Sequence, residues 1–158
     1  MFRIGYAEDI HKLIPNRKLI LAGMEIPYEL GLLGHSDADV VYHAVAESLL
    51  GALALGDLGK HFPDTDKNYK DFDSSKIVEH VFEMVLEKGY VINNIDISII
   101  LQKPRLSPYI DLMRENIAKL LKTSKDNVSL KAGTNEELDD IGKGLAIKAV
   151  AVVLLRKK

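Results

Sequence analysis

Cysteine and tryptophan are absent from the sequence, and only 6% of its residues are aromatic. Without cysteine there is no disulfide, no thiolate metal ligand and no thiol nucleophile, so any metal must bind through His, Asp or Glu. A long hydrophobic run is also missing, since no stretch approaches the roughly 20 apolar residues of a membrane-spanning helix. The chain opens on a strand-like pattern instead of a signal peptide. We therefore expect a cytoplasmic protein with no membrane partner.

The sequence also lacks an excess of charge of either sign. Its 21 Lys and Arg residues nearly balance 23 Asp and Glu residues, which gives a formal net charge of −2. Apart from a short basic tail at 156–158, no basic cluster would attract a phosphate backbone, so nucleic acid is not an expected partner. With 47% hydrophobic residues and no linker or repeat, we expect residues 1–158 to form a single catalytic domain with one core.

Hydrophobic periodicity indicates both strands and helices along the chain. The predicted order is a strand over 2–11, a hairpin over 18–28, a helix over 40–55, a helix from Ser74 to Gly89, a strand over 90–102, a helix from Ser107, a strand over 128–132 and a strand over 145–155. This order predicts an α+β fold in which helices pack on one face of a mixed β-sheet. Because several strands are apolar on both sides, we expect the other face to be covered by oligomerisation.

Most residues with catalytic potential lie in the stretch from Gly31 to Asp66. Ser36 and Asp39 have the spacing of a capping box ahead of the helix over 40–55. His43 then lies one to two turns into that helix. The loop 35–37 precedes a helix N-terminus, where unpaired N–H groups and the helix dipole favour an anion.

Asp9, His11 and His43 form a candidate metal set. Asp9 and His11 are two residues apart on a strand, so both side chains point to the same face. With His43 they offer one carboxylate and two imidazoles, which suits a tetrahedral Zn²⁺ that keeps its fourth position open. Simpler interpretations exist, because an Asp-x-His pair is often a hydrogen-bonding pair and a lone helical histidine is usually a core residue. The acidic segments 57–66 and 136–140 are likewise compatible with ordinary turns and solvated charge.

Together these motifs resemble the family of 2-C-methyl-D-erythritol 2,4-cyclodiphosphate synthases over essentially the full chain. The resemblance rests on RIG at 3–5, D-x-H at 9–11, IP at 26–27, GLLGHSDAD at 31–39, HA at 43–44, LLGA at 49–52, GDLG at 56–59, FPDTD at 62–66, KGY at 88–90, NID at 94–96, KA at 131–132 and TNE at 134–136.

The resemblance implies a cyclising phosphorus–oxygen lyase of the non-mevalonate isoprenoid route. Its substrate would be 4-diphosphocytidyl-2-C-methyl-D-erythritol 2-phosphate, whose 2-phosphate attacks its own β-phosphorus and releases CMP. Zn²⁺ would bind to the candidate metal set, and Mg²⁺ or Mn²⁺ would bridge the substrate phosphates with Glu136 as its protein ligand. His35 and Thr134 would stabilise the transition state. The resemblance also implies a homotrimer whose active sites are shared between neighbouring subunits.

The other matched positions are expected to bind substrate. Those expected around the phosphate and methylerythritol groups are Ser36, Asp57, Leu58, Gly59, Phe62, Pro63, Asp64, Thr65 and Asp66. Those expected around cytidine and its diphosphate are Leu101, Gln102, Lys103, Pro104, Arg105, Leu106, Ser107, Ala132, Gly133, Asn135 and Lys143. The chain departs from the usual family pattern at Glu8, at Asp139 and Asp140, at Lys143 and at Val150.

Two other functions are compatible with the same residues. One is a different zinc-dependent phosphoryl-transfer enzyme, such as a hydrolase of a nucleotide diphosphate, which would release a linear phosphate. The other is a non-catalytic, metal-stabilised trimer that binds cytidine nucleotides as a sensor. The open zinc position and Glu136 favour catalysis over sensing.

Overall fold

The computed structural model describes residues 1–63, 67–69 and 73–158. Its strands are β1 (Phe2–Pro15), β2 (Leu19–Leu21), β3 (Met24–Ile26), β4 (Leu30–Leu32), β5 (Tyr90–Ile100), β6 (Val128–Gly133) and β7 (Ala146–Lys157). Its α-helices are α1 (Val40–Ala52), α2 (Leu58–His61), α3 (Ser74–Glu87), α4 (Ile110–Leu120) and α5 (Asp139–Gly142), and single 3₁₀ turns lie at Lys67–Tyr69, Ser107–Tyr109 and Lys125–Asn127. Within the described residues, no helix is both long and apolar enough to cross a membrane.

The main sheet has five strands in the order β4-β1-β7-β5-β6, and β2 pairs with β3 in a separate hairpin. Only β5 and β6 run parallel among these pairs, so the sheet is mixed, as predicted. The almost entirely apolar β7 pairs with a neighbour on each edge, so it is the central strand of the sheet, and α1 packs on one of its faces. Helix α1 packs on β1 and β7, while α3 packs against α1 and α4 packs against β6.

One face of the sheet carries exposed apolar side chains. Phe2, Ile4, Tyr6 and Ile10 alternate along β1 with residues that face the helices, and each is more than half exposed. Val152 pairs with Tyr6 in the neighbouring strand and continues this surface. The bare apolar sheet face that the sequence predicted is therefore present.

Helix α1 begins differently from the predicted capping box. Its N-cap is Asp39, whose carboxylate accepts hydrogen bonds from the N–H groups of Val41 and Tyr42 at 3.2 and 3.1 Å. Ser36 lies in the preceding loop and does not cap the helix, and the helix ends at Ala52, before the predicted limit at residue 55. The difference from the prediction has a tertiary cause, because the Asp39 carboxylate also accepts hydrogen bonds from another part of the chain.

The same Asp39 carboxylate accepts the N–H groups of Ala22 and Gly23 in the β2–β3 turn, at 2.9 and 2.8 Å. Its side chain is completely buried. A buried carboxylate that accepts four N–H groups satisfies donors that would otherwise be left unpaired. It therefore joins the hairpin to the start of α1, and the backbone carbonyl of Asp39 accepts the N–H of His43 one turn later at 3.0 Å.

Two further boundaries differ from the prediction. Strand β1 extends to Pro15 instead of ending at residue 11, because Leu13–Pro15 pair with β4. Helix α5 lies between the predicted strands over 128–132 and 145–155, where no helix was predicted. Four residues are too few to give a detectable helical period.

Gly5 lies where α1 crosses β1. A Cβ atom at this position would be 1.9 Å from the carbonyl oxygen of Ser48 and 2.9 Å from the Cβ of Ala52. Because both neighbours belong to α1, the helix would have to move away from the strand that carries Asp9 and His11.

We predict that Gly5→Ala lowers the free energy of unfolding by about 3 kcal/mol, in the range of overpacked core substitutions. Gly51→Ala is the matched control, since its Cβ would meet only the Tyr6 carbonyl oxygen at 3.8 Å. It should be neutral or stabilising by up to about 1 kcal/mol, because alanine is the better helix former. Urea unfolding of both variants checks this; equal stability of the two would contradict it.

Candidate active site

Strand β1 and helix α1 bring together the three predicted metal ligands. Asp9 Oδ2 lies 2.9 Å from His11 Nε2 and 3.2 Å from His43 Nδ1, and the two imidazole nitrogens are 3.3 Å apart. Zn–N and Zn–O bonds of about 2.0–2.1 Å give a tetrahedral edge of about 3.3 Å. The three atoms therefore already form one triangular face of a tetrahedron, so the residues fit a zinc ion. Among the described residues, no other group of three or more His, Asp or Glu side chains has all its ligand atoms within 4.8 Å of one another.

The far side of each imidazole has an acceptor. His11 Nδ1 lies 2.9 Å from the Leu33 carbonyl oxygen, so its Nδ1–H donates there and its Nε2 lone pair faces the ligand cluster. His43 Nε2 lies 2.9 Å from Ser74 Oγ and 3.1 Å from Ser36 Oγ. Its Nδ1 is then the nitrogen left to bind a metal.

Charge on Asp9 is strongly favoured in this cluster. Burial opposes ionisation, but the contacts of the carboxylate with the imidazoles of His11 and His43 outweigh it and hold the pKa of the Asp9 carboxyl well below its usual range. Burial likewise lowers the pKa of His11, and its contact with the Asp9 carboxylate more than compensates, so this pKa is raised. A metal ion must therefore displace a proton that the carboxylate helps to hold.

A cavity of about 280 Å³ opens beside the three ligands. As predicted, it also contains His35 and Ser36 from the loop before α1. Of the residues predicted to surround the methylerythritol group, Leu58, Gly59 and Phe62 line it. The loop before α1 and the start of α2 thus both line the cavity beside the metal cluster.

Three residues that line this cavity were not predicted from the sequence as site residues: Gly34, Glu47 and Ile77. Glu47 lies one turn after His43 on the same face of α1, and its Oε1 accepts the N–H of Leu58 at 3.2 Å. The i,i+4 spacing from His43 is the signal that identifies it. Ile77 looked like a plain core residue, because its spacing matches the buried stripe of α3.

The remaining residues predicted around the methylerythritol group are Asp57, Pro63, Asp64, Thr65 and Asp66. Asp57 is exposed and caps α2 by accepting the N–H of Lys60 at 3.0 Å. Pro63 is exposed. Asp64, Thr65 and Asp66 lie outside the described residues. His80 of α3 is in edge contact with Phe62, with ring centroids 5.3 Å apart.

The predicted cytidine residues form a second cavity of about 380 Å³. Its lining consists of Leu101, Gln102, Lys103, Pro104, Arg105, Leu106, Ser107, Ile110, Ala132, Gly133 and Thr134. Ile110 was not expected here, and Thr134 was expected at the transferred phosphoryl group. Asn135 and Lys143, which were predicted for this half of the site, do not line the cavity. This cavity shares no lining residue with the cavity beside the metal cluster.

The two cavities lie beside different strands of the sheet, one next to β1 and the other next to β6. In one row across it, Asp9 pairs with Ala149, Ala149 with Ile99, and Ile99 with Ala132. Three strand spacings separate the first and last residues of this row, which is about 14 Å. Thr134 lines the second cavity, and neither Thr134 nor Glu136 lines the cavity beside the metal cluster.

Glu136 lies in a tightly turned segment after β6. It is exposed, its φ is +54°, and its N–H donates to Thr134 Oγ1 at 3.2 Å. Asp139 accepts hydrogen bonds from Asn135 Nδ2 and the Gly142 N–H, both at 2.9 Å. Positive φ at several non-glycine residues is costly and is commonest at functional sites.

The departures from the family pattern have separate locations. Glu8 points away from Asp9 and forms an ion pair with Lys148 at 2.8 Å, on the exposed face of the sheet. Val150 of β7 pairs with Glu8 of β1. Asp140 lies in the first turn of α5 and Lys143 is its C-cap, and both side chains are exposed.

Comparisons with known proteins agree with this geometry. A sequence model of the YgbB family matches residues 2–156. A 2-C-methyl-D-erythritol 2,4-cyclodiphosphate synthase from Brachyspira hyodysenteriae is 58% identical over 155 residues, which are 98% of each chain. The IspF of Plasmodium falciparum, solved as a CDP complex, superposes with a TM-score of 0.88 at 34% identity and covers 99% of this chain and 97% of its own.

The bifunctional IspDF of Campylobacter jejuni superposes with a TM-score of 0.96 at 35% identity. It covers 100% of this chain, which in turn spans 43% of that longer protein. The likeness thus holds along the whole of the present chain. With the family model matching nearly every residue and a relative identical at more than half of all positions, the chain belongs to the YgbB family.

Proposed function

We propose that this protein converts 4-diphosphocytidyl-2-C-methyl-D-erythritol 2-phosphate into 2-C-methyl-D-erythritol 2,4-cyclodiphosphate and CMP. The observation that carries the proposal is the tetrahedral ligand face of Asp9, His11 and His43, beside a cavity in a chain whose relatives are named as this synthase. The 2-phosphate attacks the β-phosphorus, and the bond from that phosphorus to the oxygen of CMP breaks. No general base is needed, because the attacking phosphate is already ionised near neutral pH.

Zn²⁺ is the metal that these three residues fit best, and Asp9, His11 and His43 would hold it. When bound, it would withdraw charge from the β-phosphate at its open position. His35 and Ser36 face the same cavity and can donate hydrogen bonds to phosphate oxygens. Catalysis is then mainly positioning and charge neutralisation, as is usual for phosphoryl transfer.

The second cavity supports binding of the cytidine nucleotide. It combines buried apolar side chains, such as Leu101 and Leu106, with backbone groups that can read the edge of a base. Glu136, exposed beside Thr134, would bind Mg²⁺ or Mn²⁺ together with phosphate oxygens and water. Gly133, Asn135 and Lys143 complete this half, and Thr134 would donate to the phosphoryl group in the transition state.

We infer further that the protein is a homotrimer in which two subunits complete each site. The row from Asp9 to Ala132 spans about 14 Å across one sheet, and this separation supports a site whose second half comes from another copy. The exposed apolar residues of β1 offer a surface on which copies can assemble. The cytoplasmic location remains a prediction from the sequence.

Phosphorus NMR tests the reaction directly. Purified protein with Mg²⁺ and 4-diphosphocytidyl-2-C-methyl-D-erythritol 2-phosphate should release CMP and a cyclic diphosphate. A zinc chelator should abolish turnover and added Zn²⁺ should restore it. CMP with a linear phosphate would instead identify a hydrolase, and unchanged substrate would leave a nucleotide-binding protein.

Complementation between inactive subunits tests the shared site. His43→Ala and Glu136→Gln should each be inactive, since each removes a metal ligand from a different half. Co-expressed at equal levels, they should recover about one quarter of wild-type turnover, because each site needs an intact half from each of two randomly assembled subunits.

The matched control is co-expression of His43→Ala with Asp9→Ala, which damages the same half in both subunits and should stay inactive. Recovery of activity in this control would show that Asp9 and His43 reach one site from different subunits. No recovery in the first mixture would contradict a site shared between subunits.

A further inference from the structure

The hydroxyl group of Ser74 lies between a carboxylate and a metal ligand. Ser74 is the first residue of α3, and its side chain is completely buried. Its Oγ is 2.9 Å from His43 Nε2 and donates a hydrogen bond to Oδ1 of Asp37. Neither Asp37 nor Ser74 has a part in the function proposed above.

The hydrogen-bond directions along this chain of groups are fixed. A serine hydroxyl has one hydrogen, and Asp37, which as a carboxylate can only accept, takes it. Ser74 Oγ can then only accept from His43, so the imidazole proton must be on Nε2. The lone pair is left on Nδ1, which is the nitrogen that faces Asp9 and His11. This tautomer is the one that can bind a metal in the cluster.

Backbone amides hold the Asp37 carboxylate in place. Its Oδ2 accepts the N–H of Ser74 at 3.1 Å, and its Oδ1 accepts the N–H of Asp39 at 3.1 Å. The carboxylate is therefore tied both to the start of α3 and to the residue that caps α1. It fixes the position of the Ser74 hydroxyl relative to the helix that carries His43.

Ser36 also approaches His43 Nε2, but its surroundings differ. Its Oγ is 3.1 Å from that nitrogen, accepts the N–H of Ala38 at 3.2 Å, and lies 3.5 Å from Ser74 Oγ. Ser74 is the nearer of the two hydroxyls and the one that donates to a carboxylate. A hydroxyl that donates to a charged acceptor becomes the better acceptor itself.

We propose that Asp37 and Ser74 are positioning residues for the metal centre, which together fix the tautomer and the ring orientation of His43. This inference rests on the zinc site of the proposed function and adds the groups that support one of its ligands. Outer groups of this kind typically change metal affinity by about 10- to 100-fold when removed.

The test is the zinc affinity of the metal-free protein, measured without substrate by competition with a chromophoric chelator. Ser74→Ala should weaken zinc binding by about 10- to 100-fold. Ser75→Ala is the matched control, because it removes the hydroxyl of the next residue in α3, which has no contact with His43. It should bind zinc as tightly as the wild type. Thermal unfolding of the metal-free forms checks that both variants fold.

A double-mutant cycle tests whether Asp37 acts through Ser74. Asp37→Asn should weaken zinc binding, and the double variant should bind no more weakly than the weaker of the two single variants. Cobalt-loaded Ser74→Ala should show altered visible absorption bands, since these bands report the ligand geometry. Its turnover should fall at limiting zinc and recover when zinc is in excess, which a loss of folding would not do.

Each result has a defined meaning. Wild-type zinc affinity in Ser74→Ala would overturn the proposal, and fully multiplicative effects of the two substitutions would overturn the coupling of Asp37 to Ser74. A wild-type protein that binds no zinc would remove the metal centre from the proposed function as well. Zinc affinity thereby separates failure of this inference from failure of the reaction.

Discussion

The position of the metal cluster depends on one buried carboxylate, that of Asp39. It accepts N–H groups from both the β2–β3 turn and the first turn of α1, so it fixes the helix against the hairpin. Such a charge is tolerated in the interior only because donors surround it. His43 lies one turn further along this helix, and its imidazole reaches the two ligands on β1. A small displacement of α1 would separate the ligand atoms.

The two halves of the proposed site are built on different kinds of structure. The metal ligands come from the middle of a long strand and from a buried helix, where backbone hydrogen bonds limit movement. The nucleotide half comes from the loop after β5 and the segment after β6, which contains several non-glycine residues with positive φ. Loops of this kind can place backbone groups against a base, whereas metal ligands need the stricter geometry of regular elements.

Short-range patterns in the sequence were sufficient for much of this structure. The alternation along β1 correctly placed Asp9 and His11 on one face, and Gly89 follows α3 with a φ of +80°, as expected after a helix C-terminus. The apolar run over 145–155 was correctly predicted to be a strand, and it forms β7 in the centre of the sheet. The family resemblance supplied the two sets of cavity residues, which spacing alone would not have assembled.

What could not be predicted depends on residues distant in sequence. Ser36 and Asp39 have the spacing of a capping box. In the structure, however, the Asp39 carboxylate accepts hydrogen bonds from the turn at Ala22 and Gly23. The contact between Ser74 and His43 joins residues 31 positions apart with no shared period. Glu47 is different, because its helical spacing from His43 was visible and was not used. Local rules therefore identified the elements, and tertiary hydrogen bonds decided their ends.

The row of paired residues from Asp9 to Ala132 has a consequence for the pattern of correlated substitutions in this family. If neighbouring chains complete the site as proposed, residues around the metal cluster touch residues around the nucleotide cavity of another copy encoded by the same gene. Compensating substitutions would then accumulate between positions about 14 Å apart in one chain. A contact map inferred from covariation would contain pairs that no single subunit can satisfy, and those pairs would trace the contact between subunits.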